Sequence, residues 1–412
     1  MWLTARQTEM RTAAAGAMVI GLCVVTGGGC SLSDESVSST KRSGTTTRAH
    51  RAPRQPPPPD AEVYSVALDG SELTQLTRTT GVETSLSVSP DGKSVAFYRQ
   101  PGPGSSSPSA RLVVASAGGR GERGLGPVHV LRGDYVMPPA WSPDGRSLAW
   151  TEGHQCDTLY PTSCWKYRVW TVDIQTGKRR LVARRAADPA WSPDGRHLAY
   201  VRVEWIEDPT NPIGIDDTIS RETLVVAKPD GSAARFVARG AQAPAWSPDG
   251  RLAFVVHGRK ITVSEADGSS KRRLGGGYAP LSWSPDGKTL WANVHYLLTR
   301  FGYLVAPSRR ASDPQGFHVL RPNGGGQRFV RSLGTFGGSI SNPWSADGRR
   351  TVWPAGSRIP IGTPTGLVTR EIDLSEQRMT VHSAVWGGTA RAPRIFFTAS
   401  RNGYVTCYRE CP

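Results

Sequence analysis

One short motif recurs along this chain and constrains its fold more than any other feature. It is written AWSPDGRSLAW at Ala140–Trp150 and AWSPDGRHLAY at Ala190–Tyr200, and four further close copies occur elsewhere. The motif aspartates are Asp91, Asp144, Asp194, Asp249, Asp286 and Asp347. A degraded copy, AVWGGTARAPRIFF at Ala384–Phe397, keeps the tryptophan and the apolar run but lacks the Pro-Asp-Gly turn. Such recurrence indicates a repeat architecture.

The physical chemistry of the motif predicts a β-hairpin. Pro suits the second position of a type I turn, Asp the third, and Gly takes the left-handed conformation that returns the chain. The preceding Trp and the alternating apolar residues that follow, such as Leu148 and Trp150, are typical of core strands. A catalytic role for the repeated aspartate is the alternative, but six identical active sites in one chain are implausible. We therefore expect scaffold, with function away from these turns.

A second hairpin pattern, an apolar strand with a glycine turn and another short strand, alternates with the first. Examples are Tyr64–Thr77 and Val169–Val182, with a weaker copy at Leu367–Thr380. Two hairpins make a four-stranded antiparallel unit of roughly forty to sixty residues, the size of a propeller blade. The sequence predicts an all-β fold, a seven-bladed β-propeller in which Tyr64–Thr77 and Ala384–Phe397 together close the ring. Six blades, with Asn402–Cys411 as an added strand, is the alternative.

At these residues the chain resembles the TolB-like β-propeller family, in which a Trp-Ser-Pro-Asp-Gly hairpin is followed by an Asp-Gly hairpin. The resemblance covers about Ala61 to Phe397 and implies a propeller of four-stranded blades. TolB itself carries an α/β domain before its propeller. We expect no such domain here, so the resemblance implies the fold and not TolB's role in the envelope.

The N terminus predicts a targeting segment rather than part of the fold. Arg6 and Arg11 precede an apolar run at Ala13–Val25, which is too short and too rich in glycine for a transmembrane helix. Residues 1–30 resemble a bacterial lipoprotein signal, in which Cys30 is the residue that receives the lipid. Ordinary cleavage with secretion and a retained anchor stay open as alternatives. Each of the three places the rest of the chain outside the cytoplasm.

The segment that follows predicts a tether. Residues 31–60 are rich in Ser, Thr, Arg and Pro and cannot bury enough apolar surface to order themselves, which leaves residues 61–412 for the propeller. Outside the cytoplasm the remaining cysteines are disulfide candidates, namely Cys156, Cys164, Cys407 and Cys411. We favour pairing the first two and the last two. A zinc site is the rival, but no Cys-x-x-Cys pair supports it.

Antiparallel strand order divides the loops of a propeller between two faces. The first and third turns of each blade emerge on the turn face, and the central turns and the links between blades emerge on the central-turn face. Long central segments are predicted at Gly153–Lys166, Glu204–Glu222, Tyr296–Gly316 and Pro354–Gly366, whereas His257–Lys260 is short. Long loops on one face of a rigid scaffold favour a binding role. Drift is the alternative, because surface loops tolerate insertion.

Acidic and histidine side chains supply the candidates on this face. The acidic ones share one long loop, and the histidines follow the second strands of three different blades. The full set is Glu204, Glu207, Asp208, Asp216, Asp217, His154, His257 and His295. Histidines from several blades are suited to holding a metal ion at the mouth of the central channel. Otherwise we expect no cofactor, and a calcium site is disfavoured because the acidic loop has no Asp-x-Asp spacing.

Charge and missing motifs bound the function. The net charge of +16 favours acidic wall polymers or anionic lipid headgroups, or is simply an arginine-rich solvated surface. Nucleic acid is not expected outside the cytoplasm. The chain contains no G-x-S-x-G, H-E-x-x-H or P-loop motif. The sequence therefore predicts a monomeric, membrane-anchored scaffold that binds an envelope protein or cell-wall glycan. The alternative is a propeller enzyme, a polysaccharide lyase or hydrolase, with its site at the channel mouth.

Overall fold

Short β-strands and no helix make up the described part of the chain. The computed structural model describes residues 61–102, 109–128, 137–155, 165–207, 218–257, 260–276, 278–293, 316–323, 328–331, 342–389 and 391–401. Within these ranges there is no helix with the length and apolar character needed to span a bilayer. The predicted signal at residues 1–30 and the tether at residues 31–60 lie outside the described residues.

The strands form seven antiparallel sheets, which are the blades. Blade 1 holds β3 (Val82–Val88), β4 (Ser94–Gln100), β5 (Ala110–Ser116) and β6 (Arg123–Val128). Blade 2 holds β7 (Ala140–Trp141), β8 (Ser147–Gln155), β9 (Trp165–Asp173) and β10 (Arg179–Arg184). Blade 3 holds β11 (Ala186–Trp191), β12 (Leu198–Glu207), β13 (Thr218–Ala227) and β14 (Arg235–Arg239).

The remaining blades follow the same order. Blade 4 holds β15 (Ala241–Trp246), β16 (Leu252–Val256), β17 (Lys260–Ser264) and β18 (Arg272–Gly276). Blade 5 holds β19 (Tyr278–Trp283), β20 (Leu290–Asn293), β21 (Gly316–Leu320) and β22 (Arg328–Arg331). Blade 6 holds β23 (Thr351–Val352), β24 (Arg358–Gly362) and β25 (Val368–Asp373). Blade 7 holds β26 (Met379–Gly388), β27 (Pro393–Arg401), β1 (Ala61–Ala67) and β2 (Thr74–Gln75).

Blade 7 closes the ring by combining strands from both ends of the chain. Strand β1 pairs with β27 from Ala61 opposite Ser400 to Ala67 opposite Arg394. The sheet order β2-β1-β27-β26 therefore places the N-terminal hairpin outside the C-terminal one. This pairing joins the two ends of the chain in one sheet, so the ring is closed by backbone hydrogen bonds. The predictions of seven blades and of closure by the terminal hairpins are confirmed.

Blade 6 corrects part of the prediction. We predicted a long central segment at Pro354–Gly366 and a hairpin at Leu367–Thr380, and both are wrong. Arg358–Gly362 is the third strand of the blade, while its innermost strand is reduced to a bridge between Trp344 and Thr351. A proline in the middle of a run argues against a central strand. Pro360 is tolerated because β23 ends opposite Ile361, so Pro360 has no paired residue on that side.

The hydrophobic core is distributed between neighbouring blades. Between blades 7 and 1, for example, Val63, Val385 and Phe396 pack with Val95 and Phe97, and all five side chains are buried. Each sheet therefore buries both faces against the next sheets. This explains why the strand positions are apolar on both sides.

In blades 2 to 6, the tryptophan of the repeat connects its blade to the blade before it. In blade 3 the Trp191 indole N–H donates to the Ala140 carbonyl at 3.1 Å. In every case the accepting residue belongs to the blade before, and it is the residue just N-terminal to the tryptophan position of that blade's motif. The other bonds are Trp246 to the Ala190 carbonyl, Trp283 to the Ala245 carbonyl, Trp344 to the Ser282 carbonyl and Trp141 to the Ser87 hydroxyl.

Blade 7 departs from this pattern. Trp386 occupies the motif position, and its buried indole nitrogen has no hydrogen-bond partner among the described residues. Arg350 of blade 6 lies over the Trp386 ring at 5.4 Å, just as Arg251 of blade 4 lies over the Trp283 ring at 5.3 Å. Trp283 and Trp386 are therefore matched in packing and differ in the hydrogen bond.

We expect Trp283→Phe to lower the free energy of unfolding by about 1 kcal/mol more than Trp386→Phe. Both variants lose ring volume, but only the first leaves a partly buried carbonyl, that of Ala245, without its indole donor. Urea denaturation followed by tryptophan fluorescence and circular dichroism measures the difference. Equal losses in the two variants would contradict a stabilising role for the inter-blade hydrogen bond.

Candidate functional site

On the turn face, the repeated aspartate is engaged by its own turn. In blade 2 the Ser142 hydroxyl donates to Asp144 Oδ1 at 2.6 Å and accepts the backbone N–H of Ser147 at 2.9 Å. The backbone N–H of Arg146 also donates to Asp144. The Ser-to-Asp bond recurs in all six close copies of the motif. The carboxylates stabilise the turns, as the scaffold interpretation predicts.

These hydrogen bonds lower the pKa of the motif aspartates. In blade 2 the Ser142 hydroxyl is the main cause, since it donates to the charged form of Asp144. In blade 4, where burial opposes the shift, the pKa of Asp249 is still lowered because Arg251 and Ser247 both donate to the carboxylate. A carboxylate with a depressed pKa is a poor general base near neutral pH.

On the central-turn face, blades 2 and 3 carry projecting hairpins. In blade 3 the ladder between β12 and β13 continues without a shift from Leu198 opposite Ala227 to Glu207 opposite Thr218. In blade 4 the corresponding ladder ends at Val256 opposite Lys260. Both ladders begin at the same level, so the ten-residue strands of blade 3 extend about 15 Å beyond the five-residue strands of blade 4.

The hairpin of blade 2 extends in the same way. Its ladder runs from Ser147 opposite Asp173 to Gln155 opposite Trp165. Within the described ranges, the two longest ladders between the second and third strands of a blade belong to adjacent blades and form one projecting region. We call this region, residues 151–155 and 165–169 of blade 2 with residues 203–207 and 218–222 of blade 3, the hairpin pair.

The structure describes some of the acidic candidates. Glu204 lies on β12 opposite Arg221, and both are exposed. Glu207 is the last residue of β12. Asp208, Asp216 and Asp217 lie outside the described residues. The acidic loop as a whole therefore stays a prediction, while its base is part of the hairpin pair.

The histidine candidates are only partly described. His154 lies on β8 opposite Lys166, so it sits at the end of the second strand rather than after it. His257 follows β16, is exposed, and its backbone N–H donates to the Gly240 carbonyl at 2.7 Å. His295 lies outside the described residues. No group of three metal-ligating side chains occurs in the described ranges, and the metal site stays a prediction.

The cysteine predictions are untested. Cys30, Cys156, Cys164, Cys407 and Cys411 all lie outside the described residues.

A polar cluster that we did not predict lies where blade 7 meets blade 1. Glu62 on β1 accepts a hydrogen bond from the Thr77 hydroxyl, and it accepts the backbone N–H of Thr79 at 2.6 Å. The Thr79 hydroxyl donates to Glu83 Oε1 on β3 at 3.2 Å, and Arg99 Nε donates to the same oxygen at 2.8 Å. Thr79 therefore bridges two carboxylates. We call Glu62, Thr77, Thr79, Glu83 and Arg99 the seam cluster.

Burial raises the pKa of Glu83 to about 7. The Glu83 side chain has no exposed surface, and its Oε2 atom has no hydrogen-bond partner in the described part of the chain. Arg99 lowers this pKa only in part, because its guanidinium also pairs with Glu122. Nearby Glu62 adds to the rise, since two carboxylates close together disfavour ionisation of both.

The seam cluster is suited to joining strands rather than to chemistry on a substrate. A catalytic acid must reach the reacting atoms, and the carboxyl group of Glu83 is enclosed. Its hydrogen bonds join the N-terminal strand β1, the link that contains Thr79, and blade 1. In the sequence GVETSLSV, a carboxylate within an otherwise weakly polar strand was the signal available, and strand pairing alone brings it to Arg99.

A second buried pair occurs on blade 7. His382 Nε2 lies 2.9 Å from the Ser400 hydroxyl, and burial lowers the pKa of His382. Ser400 is itself buried. His382 is the extra residue of the bulge between Val381 and Ser383 on the innermost strand. A serine–histidine contact has the residue types of a nucleophile and its base, but a buried hydroxyl cannot meet a substrate.

Comparisons with known proteins concern the fold. No family model matches the sequence, and no curated protein matches it. Among solved structures, TolB from Acinetobacter baumannii is 12% identical with a TM-score of 0.42, covering 65% of this chain and 62% of that chain. The chain thus spans less than two thirds of the length of that TolB.

Two further solved structures are similar over more of the chain. Oligogalacturonate lyase from Vibrio parahaemolyticus is 15% identical with a TM-score of 0.48, covering 82% of each chain. The β-propeller domain of the Trilobed protease from Pyrococcus furiosus is 13% identical with a TM-score of 0.45, covering 79% of this chain and 95% of that one. This protein is a seven-bladed β-propeller, and its structural neighbours include TolB and other propeller proteins.

We expect Glu83→Gln to change the pH dependence of stability. The pKa of Glu83 is about 7 in the folded state, above its ordinary value of 4.5. Protonated Glu83 therefore adds to the free energy of unfolding below pH 4.5, and this stabilisation is lost as the pH rises through 7. The variant lacks it, so its stability relative to wild type should increase by on the order of 1–3 kcal/mol between pH 5 and pH 8. Urea denaturation at several pH values measures this.

The control is Glu376→Gln, which removes an exposed carboxylate in the turn after β25, away from the seam cluster. It should leave the pH profile close to that of the wild type. Parallel profiles for Glu83→Gln and wild type would contradict the raised pKa.

Proposed function

We propose that this chain is an extracytoplasmic propeller, anchored by a lipid on Cys30, that binds an envelope protein or a cell-wall glycan through its central-turn face. The observation that supports this most is the hairpin pair. Two adjacent blades extend their central strands beyond the level reached by those of blade 4, while the turns of the opposite face are short and repeat one hydrogen-bond pattern.

The hairpin pair is preorganised for binding. Each residue added to the ladder satisfies its backbone groups within the hairpin, so little conformational entropy remains to be lost on association. Exposed charges of both signs line its base, with Glu204 opposite Arg221 and Arg202 alongside. Such a surface suits a polar partner, and complementary charges increase the rate and specificity of association.

Grafting the short turn of blade 4 onto blade 3 tests this proposal. Residues 203–222 are replaced by His-Gly-Arg, the residues between β16 and β17, so that the ladder ends at Arg202 opposite Thr223. We expect loss of the partners that wild type captures from envelope extract by crosslinking, identified by mass spectrometry, and of binding to purified cell-wall glycan.

The matched control for the graft is Asp267→Ala, which alters an exposed turn on the turn face of blade 4. It should retain every partner. Identical partner sets for the graft and wild type would contradict the proposal. Turnover in a glycan and peptide substrate screen, lost on His257→Ala, would instead support the enzyme alternative.

Membrane anchoring is tested separately. Cys30→Ser removes the sulfur that would carry the lipid, so membrane attachment that depends on an acyl chain at this residue is lost. We expect the variant to move from the membrane fraction to the soluble fraction, with loss of the lipid mass on the N-terminal peptide. Unchanged fractionation would contradict lipid anchoring at Cys30.

A further inference from the structure

A groove of about 800 Å³ lies on the turn face between blades 2 and 3. One wall comes from the third and fourth strands of blade 2 and their turn, and the other from the two turns of blade 3. The residues that carry the argument are Trp191, Ser147, Lys178, Arg180, Arg196 and Lys228. The groove is on the face opposite the hairpin pair, so it is independent of the proposed function.

The indole of Trp191 lines this groove because blade 2 has a small residue at the position where an arginine covers two other repeat tryptophans. Arg251 lies over the Trp283 ring, and Arg350 lies over the Trp386 ring. Ser147 occupies the equivalent position in blade 2. The backbone N–H of Ser147, like those of Arg251 and Arg350, donates to the serine hydroxyl of its own motif. Trp283 and Trp386 are buried, whereas Trp191 is partly exposed.

The orientation of this indole is set by the fold. Its N–H donates to the Ala140 carbonyl, so a ligand in the groove meets apolar ring surface rather than the polar nitrogen. Pro229 adds a second apolar surface on the same lining. A flat aromatic surface with polar groups around it favours a ligand ring that has an apolar face and polar substituents.

The charged residues of the groove are mostly cationic. Four exposed lysine and arginine side chains line it, and His197 adds a titratable group. Two carboxylates offset them, but Asp173 is engaged by the hydroxyl and backbone N–H of Thr176, and Asp230 by those of Ser232. The groove therefore presents an excess of positive charge to a ligand.

We propose that this groove binds an acidic oligosaccharide, with a pyranose ring stacked on Trp191 and its carboxylates paired with the surrounding lysines and arginines. Asp230 lies 4.0 Å from Arg180, but the four cations still exceed the two carboxylates of the groove. A neutral sugar would leave this excess charge uncompensated, and a polyanion without sugar rings would leave the aromatic surface unused. The hydroxyl group of Ser147 lines the same groove and can meet a sugar hydroxyl. A volume of about 800 Å³ accommodates more than one sugar ring.

The decisive variant is Ser147→Arg, which copies the residue that blades 4 and 6 use to cover the tryptophan. It adds a positive charge while covering the Trp191 ring, so the two contributions change in opposite directions. Isothermal titration of the full chain with uronic acid oligomers should show binding to wild type and a loss of roughly tenfold or more in the variant, as expected for one stacked ring.

Charge is tested by a second pair of variants. Arg180→Ala with Lys228→Ala should weaken binding of uronic acid oligomers severalfold, because both cations line the groove. Arg239→Ala with Lys271→Ala removes the same charge from exposed positions outside it, and should have little effect. The graft of the blade 4 turn should keep binding, since it leaves the groove lining intact.

Three results would overturn this proposal. They are failure of wild type to bind uronic acid oligomers, unchanged or tighter binding by Ser147→Arg, and equal affinity for inorganic polyphosphate, which would show attraction by charge alone. Neutral glucan oligomers of the same length should bind at least severalfold more weakly than the acidic ones, and equal binding would exclude a role for the cations. Unfolding curves of each variant verify that its fold is intact.

Discussion

The hydrogen bond that five of the repeat tryptophans donate to the preceding blade is the interaction on which the ring depends. A four-stranded sheet cannot bury its own faces, so the fold is stable only when neighbouring sheets are held in one mutual position. The Trp191 indole achieves this by packing between blades 2 and 3 while donating to the Ala140 carbonyl. Because the acceptor is always next to the preceding tryptophan position, each copy of the motif positions the next one.

The ring also needs a closing contact, and two kinds of interaction supply it. Backbone pairing joins β1 to β27 along the whole length of β1. The seam cluster then joins β1 to blade 1, through Glu62, Thr79 and Glu83. The second interaction requires a carboxyl group in an enclosed position, and the raised pKa of Glu83 is the consequence.

The two faces of the propeller differ because the repeat constrains only one of them. On the turn face, the serine and aspartate of each motif engage each other, so the turns vary little and differences arise from single residues such as Ser147. The central turns carry no such requirement, and their strands range from the short β16 to the long β12. The groove and the hairpin pair are therefore different products of one architecture, both formed by blades 2 and 3.

The sequence by itself determined the repeat, the seven blades, their closure and the scaffold role of the motif aspartate, because each follows from local turn chemistry and strand periodicity. The sequence prediction misplaced the strands of blade 6. Pro360 argued against a strand there, and only the pairing with β25 shows that Arg358–Gly362 is one. Tertiary structure alone decided that Thr79 joins Glu62 to Glu83. It also decided that Trp191 is partly exposed next to the small side chain of Ser147. Both depend on side chains from different blades, and their distances are set by how the blades pack.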